Sequence, residues 1–182
     1  MRYDYTEYWN ERGQTPAATF SPDKRHFIDC YLQKLEFNSV LEIGCGNGEL
    51  TEIIFMSKPV AYIGIDLSED RLKLHKVRFQ RSVIQADITK DLAVNLPLAD
   101  LVICSHTLLH IKPEHIKDVI KNMVAHAAKH IIFFETNPAK DLGEWEYYNF
   151  NHDYESICKE LGYTVKFTRF DYLTGIYHID KN

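Results

Sequence analysis

The stretch that decides the fold reads VLEIGCGNGEL and runs from Val40 to Leu50. Its first four residues, all apolar except Glu42, predict a buried β-strand, and Glu49 begins a predicted helix. Between them three glycines stand at every second position. Because glycine has no Cβ, the chain can turn sharply there and a ligand can lie against the backbone at the helix N-terminus. This order of strand, glycine turn and helix predicts an α/β protein with a ligand site at the turn.

Short apolar runs alternate with longer amphipathic stretches from Ser39 to about His130. This alternation predicts strands joined by helices into a parallel sheet. The predicted strands are 39–43, 61–65, 82–86, 100–104, 130–134, 163–170 and 175–179, and the predicted helices are 49–57, 68–79, one beginning at Lys112, and 153–161. The last two strands are expected to pair as a hairpin. Residues 1–20 and 138–152 stand apart as aromatic-rich segments without a regular pattern.

The composition is that of an ordinary globular protein, with 45% hydrophobic and 26% charged residues in a chain of 182. This length predicts a single domain over residues 1–182. The chain carries 21 Lys and Arg against 26 Asp and Glu, a net charge of −5. An acidic balance disfavours a nucleic-acid partner, because binding along phosphates requires positive charge.

The sequence does not predict a transmembrane helix, a signal peptide, a cysteine-based zinc site or a disulfide framework. The longest apolar runs, such as Ile131–Phe134, are far shorter than the roughly 20 residues that span a bilayer. Acidic residues near Met1 do not suit a signal peptide, so a cytoplasmic location is predicted. The four cysteines are far apart and form no Cys-x-x-Cys pair, which argues against a zinc site and against a disulfide framework. They are Cys30, Cys45, Cys104 and Cys158.

Two acids follow the next two predicted strands. Asp66 comes 18 residues after Gly48, and Asp87 follows the third strand. The glycine spacing is Gly-x-Gly-x-Gly, which differs from the Gly-x-Gly-x-x-Gly of dinucleotide-binding proteins. An NAD-dependent dehydrogenase is therefore the less favoured interpretation, and binding of NADH would support it.

The glycine turn and these two acids together resemble the class I S-adenosylmethionine-dependent methyltransferases of the small-molecule type. The first motif of that family has the form acidic-x-Gly-x-Gly-x-Gly, which matches Glu42 to Gly48. The resemblance covers roughly residues 21–135. It implies a Rossmann-like, seven-stranded, mostly parallel sheet with helices on both faces and a C-terminal antiparallel strand.

The resemblance also implies S-adenosylmethionine as cofactor and S-adenosylhomocysteine as product. Glu42 would orient the loop or the methionine amino group, Asp66 would accept the ribose hydroxyls, and Asp87 would accept the adenine amino group. Two alternatives stay open, that Asp66 caps the following helix and that Asp87 is only a turn residue. The predicted cofactor-binding residues are Glu42, Gly44, Cys45, Gly46, Gly48, Asp66, Leu67, Asp87, Ile88 and Ser105.

Ligands of open parallel sheets lie beyond the carboxyl ends of the strands, so the residues that follow the fourth and fifth strands are the candidates for chemistry. His106 is the first candidate for a general base, since an ordinary histidine pKa of about 6.5 suits proton abstraction near neutrality. Glu135 is the second. The alternatives are that His106 only packs against the cofactor and that Glu135 caps a helix or loop.

Residues for the methyl acceptor are predicted mainly in the two aromatic segments, where residues 1–20 would form a lid and 138–152 a substrate-side loop. Simple packing over apolar surface is the alternative for both segments. The predicted substrate residues are Tyr8, Arg12, His110, Asn137 and Tyr147.

The sequence thus predicts methyl transfer to a small molecule, with oxygen favoured over nitrogen as acceptor atom. The alternatives are a methyltransferase acting on RNA or protein, and a non-catalytic partner subunit that binds S-adenosylmethionine. His106 and His110 are four residues apart, which is the spacing of two metal ligands on one helix face. However, the helix is predicted to begin only near Pro113, and no acidic residues cluster with the two histidines. No metal is expected. The sequence does not specify the oligomeric state.

Overall fold

A computed structural model of the chain describes residues 5–13, 20–90, 96–136 and 149–181. The α-helices in these ranges are α1 (Tyr5–Gly13), α2 (Pro22–Leu32), α3 (Glu49–Ser57), α4 (Glu69–Phe79), α5 (Ile116–His126) and α6 (Tyr154–Glu160). The strands are β1 (Ser39–Ile43), β2 (Ala61–Asp66), β3 (Ser82–Gln85), β4 (Ala99–Ser105), β5 (Ala127–Thr136), β6 (Val165–Arg169) and β7 (Thr174–Asp180), and a 3-10 helix spans Leu108–His110. None of the helices in the described ranges is long and apolar enough to cross a membrane.

The chain divides into two compact units, Met1–Ile88 and Thr89–Asn182. The N-terminal unit contributes three parallel strands in the order β3-β2-β1. The C-terminal unit contributes four strands in the order β4-β5-β7-β6, in which β7 runs antiparallel to both β5 and β6. The prediction of a seven-stranded, mostly parallel sheet with a C-terminal antiparallel strand is confirmed.

The core of the N-terminal unit follows the predicted apolar pattern. Ile43 of β1, Ile54 of α3 and Ile65 of β2 are almost completely buried. Helix α2 packs on α3 and begins at an N-cap, where the Ser21 hydroxyl accepts from the Lys24 amide at 3.3 Å. Sequence analysis did not predict α2, because its polar residues hide the short apolar stripe.

The core of the C-terminal unit is an aromatic stack on one face of the sheet. Phe133 of β5 and Tyr177 of β7 are opposite each other in the strand register, with ring centroids 5.3 Å apart. Tyr154 of α6 covers both rings. All three side chains are fully buried, so this stack fixes the helix and the antiparallel strand to the parallel pair β4–β5.

Two expectations about helices are wrong. The N-terminal segment is not irregular throughout, because Tyr5–Gly13 forms helix α1. The side chain of Asn10 links α1 to α4, since its oxygen accepts from the Glu69 amide at 3.2 Å. Helix α5 begins at Ile116, four residues later than expected. Residues 113–115 form a turn in which the Lys112 carbonyl accepts from two successive amides, and this turn delays the helix.

The glycine turn adopts a backbone that other residues rarely occupy. Gly44, Gly46 and Gly48 have φ values of 69°, 52° and 95°, all in the left-handed region. At Gly48 a second constraint is present, because a Cβ would overlap the ring of Phe79 in α4. The third glycine is therefore needed both for the turn and for packing α4 against the start of α3.

We expect Gly48→Ala to destabilise the protein more than Gly162→Ala, a matched control that also has a left-handed φ, of 82°, but has open space at its Cβ. The control should cost only backbone strain, roughly 1 kcal/mol, and Gly48→Ala about 3 kcal/mol through added overpacking. Denaturant unfolding measures both. Equal losses would contradict the packing role of Gly48, and Phe79→Leu should recover part of the Gly48→Ala loss.

Candidate active site

The glycine turn is held in place by the carboxylate at the end of β2. The Gly46 amide donates to Asp66 Oδ2 at 2.8 Å, and the Ser68 amide donates to Oδ1 at 2.8 Å. The Cys45 amide donates to the Ile65 carbonyl at 2.9 Å. Asp66 thus joins the turn after β1 to the turn after β2.

Asp66 keeps capacity for a further ligand. A carboxylate offers about four acceptor positions, and the two amides use one on each oxygen. Burial raises the pKa of Asp66, while these amides and the guanidinium of Arg71 oppose that rise. The cap of α4 is Ser68, whose hydroxyl accepts from the Arg71 amide at 3.3 Å. The alternative that Asp66 serves as the helix cap is therefore wrong.

The other acid of the predicted cofactor site follows β3 at the same edge of the sheet. Asp66 of β2 is opposite Gln85 of β3 in the strand register, and the Asp66 carbonyl accepts from the Ala86 amide at 3.1 Å. Leu67 accepts from the Gln85 side chain through its carbonyl. Asp87, two residues beyond the strand, is half-buried, and Ile88 after it is buried. The N-terminal unit therefore brings both acids to the carboxyl ends of adjacent strands.

Glu42 is buried behind the glycine turn and does not face solvent. Its Oε2 accepts from the Thr51 hydroxyl of α3 at 2.7 Å and from the Tyr62 hydroxyl of β2 at 2.8 Å. His75 of α4 adds a third polar group, with Nε2 2.9 Å from Thr51 Oγ1. These contacts link four elements around the turn, and they favour a loop-orienting role for Glu42 over a direct contact with a methionine amino group.

Burial sets the protonation of this network. It raises the pKa of Glu42 to about 7 and lowers the pKa of His75 to about 4. Thr51 Oγ1 also lies 2.9 Å from the Tyr62 hydroxyl, and His75 Nε2 lies 3.2 Å from that hydroxyl, so the four side chains form one cluster. His75 Nδ1 has no hydrogen-bond partner among the described residues.

Cys45 is 3% exposed, and its Sγ lies beside Gly64 of β2. Burial also raises the pKa of this thiol. Only the main chain of Cys45 can therefore meet a ligand. Packing also explains why glycine occupies position 64, because a Cβ there would crowd both Cys45 and the Tyr62 hydroxyl.

Arg71 is a residue that sequence reasoning missed. Its Nη1 lies 3.7 Å from the position of a Cβ on Gly46, so the guanidinium covers the glycine turn. Its Nη2 donates to the carbonyl of Arg12 in α1 at 3.3 Å, and its Nε is buried with no partner among the described residues. Within α1, Arg12 donates to the Tyr8 hydroxyl at 3.2 Å. The predicted lid residues Tyr8 and Arg12 are thus linked to the turn through Arg71.

Glu135, in the C-terminal unit, has a position different from the one expected of a base. It is fully buried on β5 and accepts from three successive backbone amides at 2.8, 2.9 and 3.4 Å. These amides belong to Thr107, Leu108 and Leu109. The carboxylate therefore holds the turn after β4 and the start of the 3-10 helix, which is the capping alternative that the sequence left open. Burial raises its pKa to about 7.

His106 lies at the carboxyl end of β4 with a strained backbone. Its φ is 49°, which is uncommon for a residue with a side chain, and its amide donates to the Phe134 carbonyl at 3.0 Å. The ring is half-buried and packs edge to face on Phe134. The neighbouring hydroxyls, Ser105 Oγ on β4 and Thr136 Oγ1 on β5, are buried without a partner among the described residues.

His110 ends the 3-10 helix and is half-buried. Its amide donates to the Thr107 carbonyl at 3.1 Å, so it belongs to the same turn that Glu135 holds. The predicted substrate residues Asn137 and Tyr147 lie outside the described residues.

Comparison with known proteins places the chain in a family. A family model described as "Methyltransferase domain" matches residues 40–130, half of the chain. The match runs from β1, just before the glycine turn, into β5. The chain therefore belongs to the methyltransferase-domain family.

A curated relative from Nitrosomonas europaea, named ubiquinone biosynthesis O-methyltransferase, is 30% identical over 110 residues, which are 57% of this chain and 46% of the relative. The chain spans about half the length of the curated relatives it matches.

Two solved structures share the fold. A structure titled "DhpI-SAH complex structure" has a TM-score of 0.75 at 16% identity, with 96% of this chain and 93% of that chain covered. Magnesium protoporphyrin IX methyltransferase from Synechocystis PCC 6803 with bound SAH has a TM-score of 0.70 at 16% identity, with 98% and 95% covered. At these identities the similarity supports the fold alone.

The pKa of Glu42 predicts a specific pH dependence of stability. Because its folded value of about 7 exceeds the ordinary 4.5, the folded state holds the proton more tightly than the unfolded chain. The free energy of unfolding of wild type relative to Glu42→Gln should therefore be highest below pH 4.5. It should fall by up to about 3 kcal/mol as the pH rises to 7.

Chemical denaturation at half-unit pH steps measures this difference. The opposite contribution of His75, whose pKa is lowered, is present in both proteins and cancels to first order. Glu114→Gln, at an exposed position, is the matched control and should show a flat difference from wild type. A flat difference for Glu42→Gln as well would contradict the burial-induced pKa rise.

Proposed function

We propose that this protein transfers the methyl group of S-adenosylmethionine to a hydroxyl oxygen of a small molecule, releasing S-adenosylhomocysteine. The observation that carries the proposal is the left-handed glycine turn with its Gly46 amide bound to Asp66, in a chain that belongs to the methyltransferase-domain family. A turn without Cβ atoms at a helix N-terminus leaves room for a nucleoside, and an adjacent carboxylate suits ribose hydroxyls.

The N-terminal unit supplies the groups for the cofactor. Gly44, Gly46 and Gly48 admit it to the backbone, and Asp66 accepts from the ribose through its remaining lone pairs. Asp87, at the end of the next strand, takes the adenine amino group. Arg71 lies over the turn beside Asp66 and would meet the methionine carboxylate by charge attraction.

In the C-terminal unit, His106 is the proposed base. Methyl transfer is an in-line displacement in which the acceptor oxygen attacks the methyl carbon as the carbon–sulfur bond breaks, and a hydroxyl acceptor must lose its proton. The left-handed backbone at His106 supports this role, since strained residues cluster at functional sites. The hydroxyls of Ser105 and Thr136, which have no hydrogen-bond partner among the described residues, are further candidates to bind a ligand.

Glu135 acts in this proposal as a positioning residue and not as the base. Three backbone amides and the Cys104 thiol donate to its two oxygens, and its side chain is fully buried. By fixing the turn from Thr107 to Leu109 it fixes the chain directly after His106.

An oxygen acceptor is supported by the name of the Nitrosomonas europaea relative, an O-methyltransferase. The acidic chain, with a net charge of −5, favours a small molecule over RNA. The predicted lid in residues 1–20 and the predicted loop 138–152 remain the proposed determinants of the acceptor.

Calorimetric titration tests the cofactor assignment. We expect binding of S-adenosylmethionine and S-adenosylhomocysteine and none of NADH. Asp66→Ala should weaken S-adenosylhomocysteine binding by about 1.5–3 kcal/mol, the loss of a charge-assisted hydrogen bond. A 2′-deoxyribose analogue identifies the contact, because removal of that hydroxyl should weaken binding to wild type but not to Asp66→Ala.

Asp70→Ala is the matched control for this series, since Asp70 lies on α4 and pairs with Lys73. Its affinities should equal those of wild type. Unchanged S-adenosylhomocysteine affinity in Asp66→Ala would remove Asp66 from the site, and selective NADH binding would favour the dehydrogenase alternative.

His106→Asn tests the base while preserving the backbone, because asparagine tolerates the left-handed region well. Turnover, measured as S-adenosylhomocysteine release in an acceptor screen, should fall at least about 100-fold, the usual worth of general-base catalysis. Affinity for S-adenosylhomocysteine should change less than about twofold. Equal losses of turnover and affinity would assign His106 a positioning role, and the exposed His115→Asn should retain both.

A further inference from the structure

A second group of potential ligands lies in the C-terminal unit, where β5 begins and β7 ends. His130 of β5 is directly opposite Asp180 of β7, and His178 precedes Asp180 by two residues. Because side chains alternate along a strand and opposite residues share a face, all three side chains are on one face of the sheet.

The donor atoms of these residues are close together. His178 Nε2 lies 3.2 Å from His130 Nδ1, and His130 Nδ1 lies 3.7 Å from Asp180 Oδ1. All three residues offer one ligand atom within 4.8 Å of the other two. The separation of the two histidine nitrogens is that of two ligands of one zinc ion, because two atoms bound to zinc at about 2.05 Å and at the tetrahedral angle are about 3.3 Å apart. The Asp180 oxygen, at 3.7 Å, needs to move by only a few tenths of an ångström to reach that separation.

The surroundings suit a partly open metal site. His130 and His178 are 6% and 8% exposed, so neighbouring side chains hold both rings in place. Asp180 is 54% exposed and gives access from solvent. Lys166 of β6, opposite His178, is the nearby positive charge that opposes a cation.

We propose that His130, His178 and Asp180 bind one divalent transition-metal ion, zinc in the first place, with solvent completing the coordination shell. Two imidazoles and one carboxylate form a donor set that zinc accepts readily. When the metal binds, the hydrogen bond between the two rings breaks and each ring forms one metal–nitrogen bond. The ring nitrogen that donated this hydrogen bond loses its proton, and the other nitrogen of the same ring takes up a proton from solvent. The ion clamps the antiparallel strand β7 to β5.

This ion has no part in methyl transfer. His130 precedes Glu135 by five residues on β5, about 16 Å along the strand and toward its opposite end. The proposal is therefore independent of the proposed function. The absence of clustered cysteines does not bear on it, since its ligands come from strands that are far apart in the sequence.

The test is calorimetric titration of chelator-treated, full-length protein with zinc sulfate, together with thermal unfolding. We expect one equivalent of zinc to bind and to raise the Tm. Asp180→Ala, at an exposed position that should not disturb folding, should weaken the affinity at least tenfold, and His178→Gln should abolish binding. Cobalt added in place of zinc should give a visible ligand-field absorption that Asp180→Ala alters.

Two control variants guard against binding elsewhere. His115→Gln removes an exposed histidine, and Cys30→Ser removes a thiol whose Sγ lies 3.5 Å from His26 Nε2 on α2. Both should bind zinc like wild type, and Asp180→Ala should bind S-adenosylhomocysteine like wild type. The proposal is overturned if no stoichiometric zinc binds, or if zinc affinity is unchanged in Asp180→Ala. Loss of binding in Cys30→Ser would equally reject it.

Discussion

The hydrogen bond from the Gly46 amide to the Asp66 carboxylate is the interaction on which the candidate site depends. It requires the left-handed backbone that glycine tolerates, and it requires an acid at the end of the adjacent parallel strand. Because the same carboxylate also binds the Ser68 amide, it fixes two turns at once. A ligand that contacts Asp66 therefore meets a group whose position is already determined, and little ordering cost remains at binding.

Two buried glutamates serve the strand ends in similar ways. Glu42 is held by the hydroxyls of Thr51 and Tyr62, and Glu135 is held by backbone amides. Burial raises the pKa of each to about 7, and the donors offset part of that cost. Both glutamates are thus structural groups whose hydrogen bonds link neighbouring elements, whereas Asp66, which accepts a backbone amide on each oxygen, is the acid proposed to bind a ligand.

Most of the sheet was predictable from the sequence because its strands are buried. Continuous apolar runs, such as Leu101 to Cys104, admit few other structures, and the glycines mark where a strand must end. The helices that were missed or misplaced have weaker local signals. Helix α1 depends on contacts of Asn10 and Arg12 with α4, and the start of α5 depends on a turn at Lys112 that no periodicity reveals.

For the site, the sequence by itself determined the glycine turn and the order of its acids, because spacing and lack of a Cβ are local properties. Only the tertiary structure decided what each side chain does. It placed Arg71 over the turn, linked Glu42 to His75 through the Thr51 hydroxyl, and used Glu135 as a loop cap. It also brought His130 within 3.2 Å of His178, although 48 residues separate them. Such roles depend on which donors and charges surround a group, and those neighbours come from distant parts of the chain.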